Sequence, residues 1–92
     1  MIKSFRHKRL KRLFETGDQR GVATNLASRL RRQLDVLNQA HSASDMNLPG
    51  YRLHQLKGSR YGTWSVTLGG NRRITFRFDG EDAFDVDLED YH

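Results

Sequence analysis

The residues whose types best suggest chemistry are the last three of the 92-residue chain, Asp90, Tyr91 and His92. They follow a run in which apolar and acidic residues alternate, as along a β-strand with one face in the core. A carboxylate can orient a base or accept a proton, an imidazole titrates near neutral pH, and a phenol can stack. On a basic protein, this combination predicts acid–base chemistry on an anionic substrate.

The distribution of charge also suggests an anionic partner. The net charge is +5, and all sixteen Lys and Arg residues lie between Lys3 and Arg77, where only four acids oppose them. The other seven acids lie in residues 79–92. A basic body suits a polyanion whose backbone is bound by Lys and Arg. The alternative is a solvated surface with no specific partner, and charge alone does not decide between the two.

Composition narrows the class of protein. The chain has no cysteine, which excludes disulfides and thiolate metal sites and favours an intracellular protein. No apolar run approaches the roughly 20 residues of a membrane span, and the first residues lack the apolar stretch of a signal peptide. We therefore expect one cytoplasmic domain over residues 1–92, with no membrane association.

The elements that must position the terminal residues follow from periodicity. Apolar residues recur at helical spacing in residues 7–15, before Gly17, and in residues 22–40, whereas residues 41–50 resemble a loop. Strands are predicted at residues 51–56 and 64–68, around 74–78 and from 84 onward, and residues 1–5 could add an edge strand. This order predicts an α+β domain with two N-terminal helices packed on a mainly antiparallel sheet. The covered face should include Trp64, Val66, Ile74, Phe76, Phe84 and Val86.

The Asp79-Gly80 turn predicts a hairpin that brings Arg73 close to the last strand. Asp90 and His92 continue the apolar register of that strand. Either the strand ends near Glu89, or these groups lie where the core face opens into a cleft. No spacing of His and Asp resembles a metal site, so we predict neither a metal nor a cofactor.

Four segments carry a resemblance to a known family. They read YRLHQLKG at residues 51–58, GTWSV at 62–66, RITF at 73–76 and EDYH at 89–92. Together, and in this order, they resemble the HigB toxins, a branch of the RelE/ParE superfamily of bacterial type II toxin–antitoxin systems. The resemblance covers essentially the whole chain and implies a RelE/ParE-like fold.

The resemblance also implies an activity and its partners. A toxin of this family is a ribosome-dependent, metal-independent endoribonuclease that cuts mRNA in the A site of the small ribosomal subunit and inhibits translation. A HigA-type helix-turn-helix antitoxin neutralises it, and operator DNA is bound only through that antitoxin.

Individual site residues come from the same resemblance. It assigns catalysis to His54, Asp90, Tyr91 and His92, and contacts with RNA to Lys57, Asn71 and Arg73. The family usually has an aromatic residue just before this arginine, where the present chain has Arg72. The stacking role of that position is therefore open.

Metal-free RNA cleavage needs a base for the 2′-OH proton, an acid for the departing 5′ oxygen and positive charge at the phosphate. His54 and His92 are the natural pair for proton transfer, and which of them is the acid stays open. Asp90 would orient His92 or act as the base itself. The expected products are a 2′,3′-cyclic phosphate or 3′-phosphate and a 5′-hydroxyl.

Structural interpretations compete with these roles. Taken alone, His54 would be a half-buried strand residue, and Arg73 a cross-strand partner of Asp85 or Asp87. At the level of function, the alternatives are a ParE-like gyrase inhibitor, which needs no catalytic set, and a non-catalytic RNA-binding module. Helix cations expected to follow ribosomal RNA are Lys8, Arg9, Lys11, Arg12, Arg29, Arg31 and Arg32.

Overall fold

The computed structural model describes residues 1–90. Two helices, α1 (Lys8–Thr16) and α2 (Thr24–Gln39), precede four strands: β1 (His54–Gln55), β2 (Trp64–Gly69), β3 (Arg72–Asp79) and β4 (Asp82–Asp90). Short 3-10 helices lie at Ala43–Met46 and Gly58–Arg60. The strands form one antiparallel sheet in the order β1-β2-β3-β4. This confirms the predicted α+β class and its helix-before-sheet order.

The first helix has a cap at each end. At its start, His7 accepts a hydrogen bond from the Leu10 backbone N–H through Nδ1 at 3.1 Å. Gly17 ends the helix in the left-handed conformation, with φ of 79°, and its N–H donates to the Leu13 carbonyl. A glycine adopts this conformation without steric cost, as predicted for the terminator. Within residues 1–90, no helix is long and apolar enough to cross a bilayer.

The helices pack their apolar stripes on one face of the sheet, as predicted. Burying these aliphatic and aromatic side chains is the main source of stability, about 1.5–3 kcal/mol for each large one. The fully buried residues of this layer include Leu10, Leu13, Leu30, Leu34 and Leu37 of the helices and Val66, Ile74, Phe76 and Val86 of the sheet. The opposite, helix-free face of the sheet is called the outer face below.

A β-bulge in β4 changes which residues face the core. The β3–β4 register shifts once, and Asp85 at the shift has φ of 55°. As a result, Phe84 pairs with the exposed Arg77, whereas Ala83 and Val86 are both fully buried. The prediction that Phe84 shares the covered face was wrong because the bulge inserts one residue into the alternation.

The segment before α1 protects the free edge of β4. Ile2 and Phe5 form isolated parallel bridges to Ala83 and Val86, supported by hydrogen bonds such as that from the Lys3 N–H to the Ala83 carbonyl at 2.8 Å. The expected edge segment at residues 1–5 is therefore confirmed. It is parallel to β4, so the complete arrangement is mainly rather than wholly antiparallel.

The predicted strand over residues 51–56 was too long. Only His54 and Gln55 belong to β1, where they pair with Ser65 and Trp64 of β2. Arg52 has φ of 52°, a left-handed conformation that interrupts an extended backbone. The strand therefore begins two residues after Arg52, at His54.

Candidate active site

The strand register places His54 and Arg73 on the same face of the sheet. His54 pairs with Ser65 of β2, and Arg73 of β3 pairs with Thr67 of β2. Directly paired residues share a face, and so do residues two apart in one strand. His54 and Arg73 therefore both lie on the outer face, away from the helices, although they are 19 positions apart in the sequence.

These two residues line one small cavity of about 150 Å³ together with Arg52, Ser65 and Thr67. We call it the outer-face pocket. An imidazole and two guanidiniums share its wall, and no carboxylate lines it within residues 1–90. A pocket with this lining suits an anion next to a group that can transfer a proton.

A partly buried carboxylate, that of Glu89, holds Arg73 from the side of β4. The Arg73 Nη2 donates to Glu89 Oε1 at 3.2 Å, and Arg60 donates through both Nη atoms to the two Glu89 oxygens. The Thr75 hydroxyl adds a third donor at 3.0 Å. The bidentate contact with Arg60 restricts the orientation of the Glu89 carboxylate, which in turn holds Arg73 through one hydrogen bond. Glu89, rather than Asp85 or Asp87, is therefore the cross-strand partner of Arg73.

The charge of Glu89 is strongly stabilised. Hydrogen bonds from Arg60 lower the pKa of Glu89 to about 2, assisted by those from Thr75 and Arg73, while partial burial opposes the change. The Arg60 pKa is raised in turn by the same hydrogen bond. The network therefore stays ionised at every pH at which the protein would act.

Replacing Glu89 with glutamine tests this network through pH. Since the folded-state pKa lies below the ordinary value of 4.5, the carboxylate stabilises the fold above about pH 4.5, and that contribution is lost as pH falls towards 2. We expect Glu89→Gln to lower the free energy of unfolding by about 2 kcal/mol at pH 6. In urea titrations, the difference in unfolding free energy between Glu89→Gln and the wild type should shrink towards zero near pH 2. The exposed Glu15→Gln is the control. A difference that does not change with pH would contradict the assignment.

Asp90 lies on the other side of the sheet from Arg73. It pairs directly with Arg72 in the β3–β4 register, and its Oδ1 lies 3.3 Å from the Arg72 Nε. Arg72 and Asp90 continue the core-facing register of Ile74 and Leu88, at the end of β4 where the carboxylate is exposed. The guanidinium next to Asp90 is thus Arg72, which stands where the resembling family has an aromatic residue.

The remaining predicted site residues are not gathered in the outer-face pocket. Lys57 follows β1 and Asn71 lies in the β2–β3 turn; both are exposed and neither lines the pocket. Tyr91 and His92 lie outside the described residues, so their roles stay predictions. Within the described part of the chain, no three His, Cys, Asp or Glu side chains form a group that could hold a metal ion.

Sequence reasoning missed Arg52 and Arg60. Arg52 lines the pocket two residues before His54, and the period of a strand could have placed both on one face. Arg60 belongs to a 3-10 helix that no pattern indicated, and it meets Glu89 across 29 positions. Of the cations expected to follow RNA, Arg12 forms an ion pair with Asp18 at 3.3 Å.

Comparison with known proteins identifies the relatives of this arrangement. The family described as the RelE-like toxin of the type II toxin–antitoxin system HigB matches residues 3–92. The chain is 46% identical over 92 residues to a protein named endoribonuclease HigB from Proteus vulgaris, with complete coverage of both sequences.

Solved structures support the same fold. YafQ of E. coli superposes with a TM-score of 0.56, and a single-residue mutant of YafQ with 0.58; each is 13% identical and covers 98% of this chain and 93% of the YafQ chain. At this identity the structural likeness shows the fold alone, whereas the family match rests on the sequence itself. The chain therefore belongs to the RelE-like toxins of the type II toxin–antitoxin system HigB.

Proposed function

We propose that this toxin is an endoribonuclease that cuts ribosome-bound mRNA in the A site by attack of a 2′-OH on the adjacent phosphate. The observation that carries the proposal is the outer-face pocket, where His54 lies beside Arg73 on an open sheet face. The P. vulgaris relative, named an endoribonuclease and 46% identical over its full length, supports RNA as the substrate.

Each described group has a task in this reaction. His54 transfers a proton to or from the ribose or the leaving oxygen. Its imidazole is exposed in the pocket, so bound RNA can come within reach of it. Arg73 neutralises the phosphate while its charge grows in the transition state. Glu89 is a positioning residue that orients Arg73 through the 3.2 Å hydrogen bond to its Nη2.

The terminal residues complete the proposed site on the basis of the resemblance. His92 is the second proton-transfer group, and Tyr91 stacks on a nucleobase, a contact worth about 1–3 kcal/mol. Because Asp90 lies on the other face of the sheet from Arg73, its proposed role is to orient His92 rather than to act as the base itself. Lys57 and Asn71 contact the RNA from the two loops that border the sheet face. The products carry a 2′,3′-cyclic phosphate or 3′-phosphate and a 5′-hydroxyl.

A toxin of a type II system has an antitoxin partner. We propose that this partner is a HigA-type helix-turn-helix protein, that operator DNA is bound only through it, and that the second partner is the ribosome. The ribosome would orient the 2′-OH of the mRNA for in-line attack, a contribution that free RNA lacks. A ribosomal substrate places the activity in the cytoplasm.

Purified toxin and ribosomes programmed with a defined mRNA test the proposal. We expect A-site cleavage that persists when EDTA removes free Mg²⁺ after the toxin has bound, under polyamine conditions that keep the ribosomes assembled. An mRNA with a single 2′-deoxy residue at the cleavage position should remain intact. Cleavage of the 2′-deoxy mRNA would contradict 2′-OH attack, and tight binding without cleavage would favour a non-catalytic RNA-binding module.

A further inference from the structure

A second, larger cleft adjoins the outer-face pocket. It has a volume of about 570 Å³ and lies between α2, the loop before β1 and the β2–β3 turn. Arg52 and Thr67 line both cavities, so the cleft and the pocket lie side by side. This volume is within the range of about 300–1,000 Å³ that small-ligand sites occupy.

Three guanidiniums line the cleft: those of Arg29, Arg32 and Arg52. Within residues 1–90 none of them forms an ion pair with a carboxylate. Arg29 is held in place by a hydrogen bond from its Nη1 to the Leu68 carbonyl at 2.7 Å. The same Nη1 packs against Gly69 so closely that a Cβ at that position would lie only 2.7 Å from it. An arginine has five N–H donors, so most of those on Arg29 remain for a ligand.

Gln33 supplies the second, independent feature of the cleft. Its side chain is 3% exposed and lines the cleft, and its Nε2 donates to the Thr67 carbonyl at 2.8 Å. Its Oε1 is buried and has no hydrogen-bond partner within residues 1–90. A buried acceptor without a partner is destabilising by about 1–3 kcal/mol. The wall of the cleft therefore contains an acceptor that lacks a donor, next to three cations, and a donor could reach it after a shift of the Gln33 side chain.

We propose that this cleft is a nucleotide subsite that holds one residue of the RNA substrate next to the position of cleavage. Arg29, Arg32 and Arg52 bind its phosphate, and a shift of the Gln33 side chain lets its Oε1 accept a hydrogen bond from the base. The inference rests on the proposed endoribonuclease function, since the ligand is the substrate of that activity. The shared wall of Arg52 and Thr67 favours RNA over a peptide, because a strand whose phosphate lies in the outer-face pocket can extend past Arg52 into the cleft.

Binding of free RNA tests the subsite separately from cleavage. The probe is a fluorescein-labelled, single-stranded hexaribonucleotide with 2′-O-methyl groups, titrated with the full chain at several salt concentrations. We expect Arg32→Gln to weaken binding about five- to tenfold and to reduce the slope of log K against log salt by about 0.7, the value for one phosphate contact on a single strand. Arg32 is exposed, so the variant should fold.

Arg20→Gln is the matched control. It removes the same charge from an exposed position that does not line the cleft, where Arg20 forms an ion pair with Asp18. This variant should change affinity less than twofold and leave the salt slope unchanged. In ¹⁵N spectra of the wild type, the Gln33 side-chain amide signals should shift when the RNA is added.

The outcomes separate the subsite from the function. Wild-type affinity and slope for Arg32→Gln, with unmoved Gln33 signals, would overturn the subsite even if the toxin cleaves mRNA normally. Unchanged RNA binding with weakened binding of the antitoxin would also overturn it, since the cleft would then dock a protein. If RNA binding changes as expected but the toxin does not cut ribosome-bound mRNA, the nucleotide subsite would be supported and the proposed function rejected.

Discussion

Replacing His54 by alanine is expected to slow cleavage of ribosome-bound mRNA by about 10²–10⁴-fold, the usual contribution of one positioned proton-transfer group. The side chain is exposed in the outer-face pocket and forms no hydrogen bond with another side chain within residues 1–90. Its loss should therefore change the free energy of unfolding by no more than about 0.5 kcal/mol. Single-turnover cleavage on programmed ribosomes, with a thermal melt of the same preparation, measures both effects.

The control for this prediction is His41→Ala. His41 is also exposed, its Nδ1 lies 3.5 Å from Oε1 of the exposed Glu81, and it does not line the outer-face pocket. This variant should cleave at nearly the wild-type rate and arrest growth when it is expressed. A His54→Ala protein that folds normally and cleaves within about threefold of the wild-type rate would remove His54 from the reaction.

Arg73→Ala should produce the second large effect, a loss of about 10²-fold in the rate of cleavage. Removing one group that stabilises developing charge usually costs about 10²–10³-fold in rate. The fold should survive, because Glu89 keeps its hydrogen bonds from Arg60 and Thr75. We expect a decrease in unfolding free energy of about 1–1.5 kcal/mol for the lost charge-assisted bond.

Arg73→Lys and Arg77→Ala sharpen this prediction. Lysine keeps the charge but lacks the planar guanidinium whose Nη2 bonds to Glu89, so Arg73→Lys should recover only part of the rate. Arg77 belongs to the same strand and is exposed, but it does not line the outer-face pocket; its loss should cost less than about threefold. Equal losses for Arg73→Ala and Arg77→Ala would show that only the total charge of the sheet face matters.

The helices and the core strands were predictable because their signals are local and repeated. The leucines of α2 recur at helical spacing, and Gly17 ends α1 where a left-handed residue was expected. Val66, Ile74 and Phe76 alternate with polar residues and are fully buried. Each of these patterns reflects one face of one element, which periodicity reports directly.

The bulge and the ion network were not predictable, because they depend on how separate elements meet. The alternating pattern around Asp85 does not predict its φ of 55°. The bulge at this residue nevertheless turns Phe84 away from the core face. Arg60 reaches Glu89 from a 3-10 helix whose position is set by the sheet. Long-range side-chain pairs of this kind require the register, and hydrophobic alternation does not fix the register around a bulge.

For the candidate site too, the sequence indicated individual residues, whereas the strand register decides which of them lie together. The resemblance indicated His54 and Arg73, and the structure brings them into one pocket. It also indicated Asp90, which the β3–β4 register pairs with Arg72 on the opposite face. The resemblance predicts an aromatic residue at position 72, where this chain has an arginine that forms an ion pair with Asp90. Whether an aromatic residue would stack there stays open.

Photocrosslinking on the ribosome tests most directly whether the outer-face pocket receives the scissile phosphate. The mRNA would carry a 2′-deoxy residue at the cleavage position, to block the reaction, and a 4-thiouridine immediately beside it. After irradiation and trypsin digestion, the account predicts the crosslink on the peptide of residues 53–57, which contains His54, or on residues 61–72 of β2 and the following turn. Crosslinks confined to α1 or to the loop of residues 41–50 would contradict the account.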